Sequence, residues 1–157
     1  SGSGPLIKQT TRNENETFQL GEQLGGSLGG PRIILLKGEL GAGKTAFTRG
    51  ILSGMDFSRP DSVHSPSFSL VNQYHLPGAI VFHVDLYRLE SQRDLYSIGL
   101  DELLDGTQTV IIEWAEKLPW ESENPVEVRF EVTGDESREI EIFGLGPEAE
   151  QQFRRRQ

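Results

Sequence analysis

The run Gly38-Glu39-Leu40-Gly41-Ala42-Gly43-Lys44-Thr45 has the pattern G-x-x-x-x-G-K-[ST]. Phosphate chemistry needs these residue types at this spacing. Gly38, Gly41 and Gly43 let the backbone turn through positive φ, so successive N–H groups point inward at an anion. A helix that starts where the loop ends adds roughly half a positive charge at its N-terminus. Lys44 is placed to reach the β- and γ-phosphates of a nucleotide, and the Thr45 hydroxyl to ligate Mg²⁺. Such a loop binds; hydrolysis also needs an acid that holds the metal and a group that positions water. Two apolar runs end in carboxylates, Val110-Ile111-Ile112-Glu113 and Val81-Phe82-His83-Val84-Asp85. The first has the shape of a Walker B strand with Glu in place of the commoner Asp. In one parallel sheet the two strand ends converge on the ligand side, and Asp85 and Glu113 both face the γ-phosphate and its metal. The other reading of either acid is a helix N-cap or a solvated strand end.

His64-Ser65-Pro66-Ser67-Phe68 follows the loop helix. Many nucleotide hydrolases place a mobile segment there, with a hydroxyl that meets the nucleotide. Ser67 is the candidate hydroxyl, and an ordinary turn before a strand fits equally well. His83 alternates with Asp85 on one strand face, where it either tunes the site or packs in the core. His64, His75 and His83 lack zinc-like spacing. There is no N-K-x-D, so guanine specificity loses its usual support. Leu24-Gly25-Gly26-Ser27-Leu28 has the wrong order for an ABC-transporter signature, and no arginine-rich lid is evident.

The elements that must position these groups follow from periodicity and punctuation. Leu6–Thr11 reads as an edge strand. Asn13-Glu14-Asn15-Glu16 has capping-box spacing for a helix carrying Phe18, Leu20, Leu24 and Leu28, weakened by Gly21, Gly25 and Gly26. Arg32–Lys37 is the strand that feeds the phosphate loop, and the loop's helix runs to about Ser53, with Gly54 as a stop. Phe68–Tyr74 and Ile80–Asp85 form a hairpin through Leu76-Pro77-Gly78. Arg93–Leu104 is helical with an interruption at Gly99. Thr109–Glu113 is a buried strand, Trp114–Glu121 a short helix or loop, and Val126–Val132 with Glu139–Phe143 a late hairpin. The fold class is α/β: a P-loop NTPase-like three-layer fold with a central, mostly parallel sheet and antiparallel additions.

The chain has 157 residues, which suits one domain, placed at residues 6–146. Ser1-Gly2-Ser3-Gly4 reads as a cloning remnant, residues 1–5 fall outside the fold, and residues 147–157 read as a polar tail. Arg154-Arg155-Arg156 reads as a frayed, solvated end. No run of 18 apolar residues exists, no signal peptide is recognisable, and there is no cysteine, so no disulfide framework or thiolate metal site is possible. A cytoplasmic location is expected. The net charge of −9 opposes tight, independent nucleic-acid binding, because phosphate contacts are made mostly by Lys and Arg.

The phosphate loop, together with Ser65-Pro66-Ser67-Phe68-Ser69-Leu70-Val71-Asn72, His83-Val84-Asp85-Leu86-Tyr87-Arg88-Leu89, Gly99-Leu100-Asp101-Glu102 and Ile112-Glu113-Trp114, resembles the TsaE (YjeE) family in motif and order over roughly residues 6–145. The resemblance implies a small cytoplasmic ATPase required for threonylcarbamoyladenosine next to the tRNA anticodon. It implies docking on the TsaB–TsaD heterodimer, with ATP hydrolysis resetting that complex and tRNA met only through it. By match, Thr45 and Glu113 hold Mg²⁺, and Asp85 is the catalytic or water-positioning acid, with Lys44 beside it. Nucleotide contacts fall to Glu39, Gly41, Ala42, Gly43, Lys44, Thr45, Ala46, Ser67 and Trp114. One departure is Ser67, where the family usually has Thr; the hydroxyl survives without the tighter rotamer preference. A small-molecule kinase and a nucleotide-sensing binding module remain the alternatives from the residues alone.

Overall fold

Ile33–Lys37 (β2) is apolar at every position but its last, and both its faces are covered. Ile34 and Leu36 join one buried cluster and Ile33 and Leu35 another. That is the signature of a strand at the centre of a sheet with helices on both sides. The structure is a computed structural model that describes residues 7–39, 41–66, 70–119 and 121–156. Ser1–Leu6 and the expected strand start at Phe68 and Ser69 lie outside those residues.

β2 pairs in parallel with β5 (Thr109–Glu113) on one side and β6 (Val126–Val132) on the other. β4 (Ala79–Asp85) lies parallel to β5. The remaining strands are antiparallel: β3 (Val71–Leu76) on β4, β7 (Arg138–Phe143) on β6, and β1 (Ile7–Thr11) on β7. The order across the seven-stranded sheet is β1-β7-β6-β2-β5-β4-β3. The chain is thus an α/β protein of the P-loop NTPase type, as expected. Among the described residues no helix is long and apolar enough to cross a membrane.

One face of the sheet is covered by α1 (Glu14–Gly25), α2 (Lys44–Gly54) and α5 (Pro147–Arg155), which bury Leu20, Leu24, Phe47, Ile51, Leu52 and Phe153. α3 (Gln92–Ser97) and α4 (Leu100–Leu103) cover the other face with Leu95 and Leu100. The break between them falls at Gly99, at φ 73°. The Asn13 cap forms: its side chain accepts from the Glu16 N–H at 2.8 Å. Glu16 answers the Arg12 N–H instead of the cap's own.

Two expectations change. The glycines of α1 are a packing device. A Cβ at Gly21 would lie 2.3 Å from the Phe47 carbonyl oxygen, and one at Gly25 2.1 Å from that of Ile51. From the facing side, a Cβ at Gly50 would lie 2.1 Å from the Phe18 carbonyl oxygen. Backbone meets backbone along this seam, and no side chain fits. The second change is residues 147–157, which form α5 up to Arg155 and are not a polar tail. Pro147 starts the helix, Glu148 and Glu150 sit in its first turn, and Arg154 and Arg155 in its last, matching the helix dipole. Ala149 and Phe153, four residues apart, are its two buried residues. Gln23 Nε2 ties α1 to it by donating to the Phe153 carbonyl at 2.8 Å. The domain therefore extends to residue 156.

Helix propensity favours Ala over Gly by about 1 kcal/mol. At Gly50 the contact reverses that sign: Gly50→Ala should destabilise by about 1–3 kcal/mol through overpacking. Chemical denaturation of the variant measures it, and a more stable variant would contradict the seam.

Candidate functional site

The register of the parallel strands delivers the site. Leu36 pairs with Glu113, and Glu113 with Asp85, so both carboxylates stand at the level where β2 gives way to the phosphate loop. Gly38, Gly41 and Gly43 have φ of 156°, 78° and 96°, and α2 begins at Lys44. A cleft of about 840 Å³ opens there, lined among others by Gly41–Ala46, Ser65, Asp85, Glu113, Trp114 and Arg138.

Lys44 is buried. Its Nζ donates to the Gly38 carbonyl and, at 3.4 Å, to that of Glu39. It also lies 3.5 Å from the centroid of the Trp114 ring. Burial lowers its pKa from the usual lysine value, opposed by the carboxylates of Glu116, Glu113, Asp85 and Glu39. Glu39 is exposed and is not part of the cleft wall; its backbone carbonyl serves the loop, accepting from the Ala42 N–H and from Lys44. Arg138 donates to the Gly41 carbonyl at 2.8 Å, fastening the loop to the start of β7.

Glu113 is almost fully buried. His83 Nε2 lies 2.5 Å from Glu113 Oε2. Ser65 Oγ reaches the same oxygen at 3.4 Å and Thr45 Oγ1 at 2.9 Å. The order of donation follows: if Ser65 donates to the carboxylate, Thr45 must donate to Ser65. The Thr45 lone pairs then remain for a cation. Hydroxyl and carboxylate oxygens are the donors a Mg²⁺ ion takes from protein, with phosphate completing its shell. The residues present therefore fit that ion.

Asp85 is half-buried and accepts the Tyr87 N–H at 2.9 Å. Burial raises its pKa above the ordinary carboxylate value; the Tyr87 N–H opposes this and the negative Glu113 adds to it. Trp114 adopts the left-handed region, φ 58° and ψ 42°. For a bulky residue that costs on the order of 1–3 kcal/mol. The turn brings its ring over Lys44 and against Tyr87, with ring centroids 5.0 Å apart.

A family model described as "Threonylcarbamoyl adenosine biosynthesis protein TsaE" matches residues 11–140. The tRNA threonylcarbamoyladenosine biosynthesis protein TsaE of Nostoc is 35% identical over 87% of this chain and 85% of its own length. That of Rickettsia felis is 38% identical over 83% and 76%. This chain belongs to the TsaE family. Its fold is similar to that of the crystal structure of Bacillus subtilis YdiB, with a TM-score of 0.72 and 25% identity over 96% of this chain and 93% of that one.

Of the residues expected from the TsaE resemblance, the cleft brings together Gly41, Ala42, Gly43, Lys44, Thr45, Ala46, Asp85, Glu113 and Trp114. Ser67 lies outside the described residues. The hydroxyl found beside Thr45 and Glu113 is that of Ser65, two residues earlier in the same segment. Arg138, Tyr87 and Arg88 also line the cleft without having been singled out for it. Tyr87 and Arg88 carry a signal in the H-x-D-x-Y-R run; Arg138, the first residue of β7 and far along the chain, carries none.

Asp85 gives a test of opposed effects. Its carboxyl titrates above the ordinary value in the folded protein, so the folded state favours the protonated form. Stability from this group is present below the unfolded value and is lost as pH rises through the folded value. At pH 7 the ionised group therefore costs stability. Asp85→Asn keeps the acceptor for Tyr87 and should raise the melting temperature at pH 7 relative to wild type, with the gain vanishing in acid. A lower melting temperature at pH 7 would contradict this account of Asp85.

Proposed function

We propose that this protein is a Mg²⁺-dependent ATPase, weak alone and activated by protein partners, acting in tRNA threonylcarbamoyladenosine biosynthesis. Its hydrolysis of ATP supports turnover of the TsaB–TsaD complex, and it meets tRNA only through that complex. The reading is supported most by one observation: Asp85 and Glu113 end adjacent parallel strands at the mouth of a phosphate loop. Membership of the TsaE family supports the pathway. The net charge of −9 supports a protein partner over direct RNA contact.

The chain's own groups divide the work. Backbone N–H groups of Gly41–Thr45 and the N-terminus of α2 bind the phosphates. Lys44 supplies a mobile cation to them, released from the Gly38 and Glu39 carbonyls. Thr45 and Glu113 hold Mg²⁺, which when bound neutralises charge on the phosphate oxygens. Asp85, more exposed than Glu113 and anchored through one oxygen, positions the attacking water or takes its proton. Trp114 and Tyr87 close one side of the cleft over the nucleotide.

Lys44→Ala removes a charge-assisted contact of about 1.5–3 kcal/mol and should weaken ATP binding about tenfold to a hundredfold. Asp85→Ala should spare binding and lower partner-stimulated hydrolysis by about 10²–10⁴-fold. Glu113→Ala should weaken the Mg²⁺ dependence of binding as well as turnover. Nucleotide affinity with and without Mg²⁺, phosphate release, and tRNA modification by TsaB–TsaD with and without this protein measure all three. Phosphate release without an acceptor, rising with TsaB–TsaD, separates this reading from a small-molecule kinase and from a binding module. Undiminished ATP affinity in folded Lys44→Ala would end the phosphate-loop assignment. Unchanged hydrolysis in both acid variants would end the ATPase reading.

A further inference from the structure

His83 is fully buried on β4, outside the cleft wall. Its Nδ1 has no hydrogen-bond partner among the described residues. A buried ring nitrogen with no acceptor is a poor place for a proton, so the ring's proton sits on Nε2, aimed at Glu113 Oε2 2.5 Å away. Packing alone does not account for a histidine here. Val81 and Ile111 beside it are fully buried and the Tyr74 ring centroid is 6.2 Å off, while Asn72, opposite on β3, turns its amide to the His64 carbonyl and the Tyr74 hydroxyl and leaves Nδ1 unmet. An aliphatic side chain fills such a position without desolvating Nδ1. Meanwhile both donors on Glu113, His83 and Ser65, converge on one oxygen. No described residue donates to Oε1.

We infer that His83 is a positioning residue: its Nε2–H fixes Glu113 through Oε2 and leaves Oε1 as the oxygen presented to a cation in the cleft. The inference rests on the Mg²⁺–nucleotide reading of the site and adds to it a residue that touches neither ion nor nucleotide. A buried carboxylate free to rotate offers a cation several geometries, of which few are productive. A short bond to one oxygen removes that freedom before the cation arrives. Losing such an orienting partner typically costs about 10–100-fold in metal affinity or activity.

The test uses the geometry of amide replacements. A glutamine amide nitrogen reaches the place of histidine Nε2, whereas an asparagine amide nitrogen reaches only that of Nδ1. Binding of ATP to the full chain is titrated calorimetrically in Mg²⁺ and in EDTA, for wild type, His83→Gln, His83→Asn and His83→Ala, with thermal melts alongside. His83→Gln should retain most of the Mg²⁺-dependent gain in affinity, while His83→Asn and His83→Ala lose about 10–100-fold of it with EDTA binding unchanged. Glutamine and asparagine both keep a polar group of similar bulk, so their comparison stands even where His83→Ala fails to fold. A Mg²⁺ gain equal to wild type in all variants overturns the inference, and so does equal loss in His83→Gln and His83→Asn. A wild-type protein with no Mg²⁺ dependence overturns the functional reading itself, and the inference with it.

Discussion

A carboxylate that leaves water must be met by donors, and Glu113 is the place where this chain has to satisfy that demand. The residue is 3% exposed, at the end of a strand that is buried at every position. Isolated burial of a carboxylate is costly enough that the group would be expelled or neutralised. His83 from β4 and Ser65 from the segment after α2 supply the donors, and Thr45 from α2 joins through Ser65. Three elements are thereby tied to the carboxyl group that ends β5. The tie works only because β4 and β5 run parallel in the register Asp85↔Glu113. A slip of one residue would turn His83 to the opposite face.

The electrostatics follow the same plan. The chain is strongly acidic, yet the cleft carries a buried lysine. Desolvation works against the charge of Lys44, and four carboxylates work for it. A phosphate ligand inverts that balance, since it brings its own negative charge to the lysine and repels Asp85 and Glu113. On the proposed reading a bound Mg²⁺ would relieve that repulsion, since a cation offsets the negative charge of the acids and the phosphates together. Arg138, fixed to the Gly41 carbonyl, adds positive charge at the outer side of the loop.

How much of this is legible in the sequence depends on whether the signal is local. The phosphate loop, the two apolar runs ending in acids, and the break at Gly99 are local and are found where the residues place them. The parallel pairing of β4 with β5 follows from both being largely apolar and both ending in a carboxylate. α5 is nearly invisible because its apolar face is two residues, Ala149 and Phe153, in an otherwise charged segment; tertiary burial of one phenylalanine decides it. The glycines of α1 mislead for a related reason. Propensity counts Gly21 and Gly25 as weaknesses, and only the position of α2 makes them necessary. The sequence puts Ser67 forward, whereas the hydroxyl found at Thr45 is that of Ser65, because the path of a segment with no periodicity is not legible from its residues; Ser67 itself lies outside the described residues. Arg138 is beyond reach altogether, since its role exists only when the turn between β6 and β7 folds back over the loop.

The glycine seam and the cleft are one construction. α2 begins at Lys44, at the wall of the cleft, and that fixes where its first turns lie over the sheet. Contact through Gly21 and Gly50 draws α1 against it at backbone distance. That approach carries the first turn of α1 to the cleft, where Glu14 and Thr17 form part of the wall. Thr17 is itself anchored, its hydroxyl 2.8 Å from that of Thr11 on β1. The methyl of Thr17 packs toward Gly43, the last glycine of the loop, where a Cβ would meet it at 3.3 Å. The edge strand, the first helix and the phosphate loop are therefore in mechanical series. Widening the helix pair by one methyl at Gly50 would move the wall away from the loop, so this packing constraint also acts on the shape of the cleft.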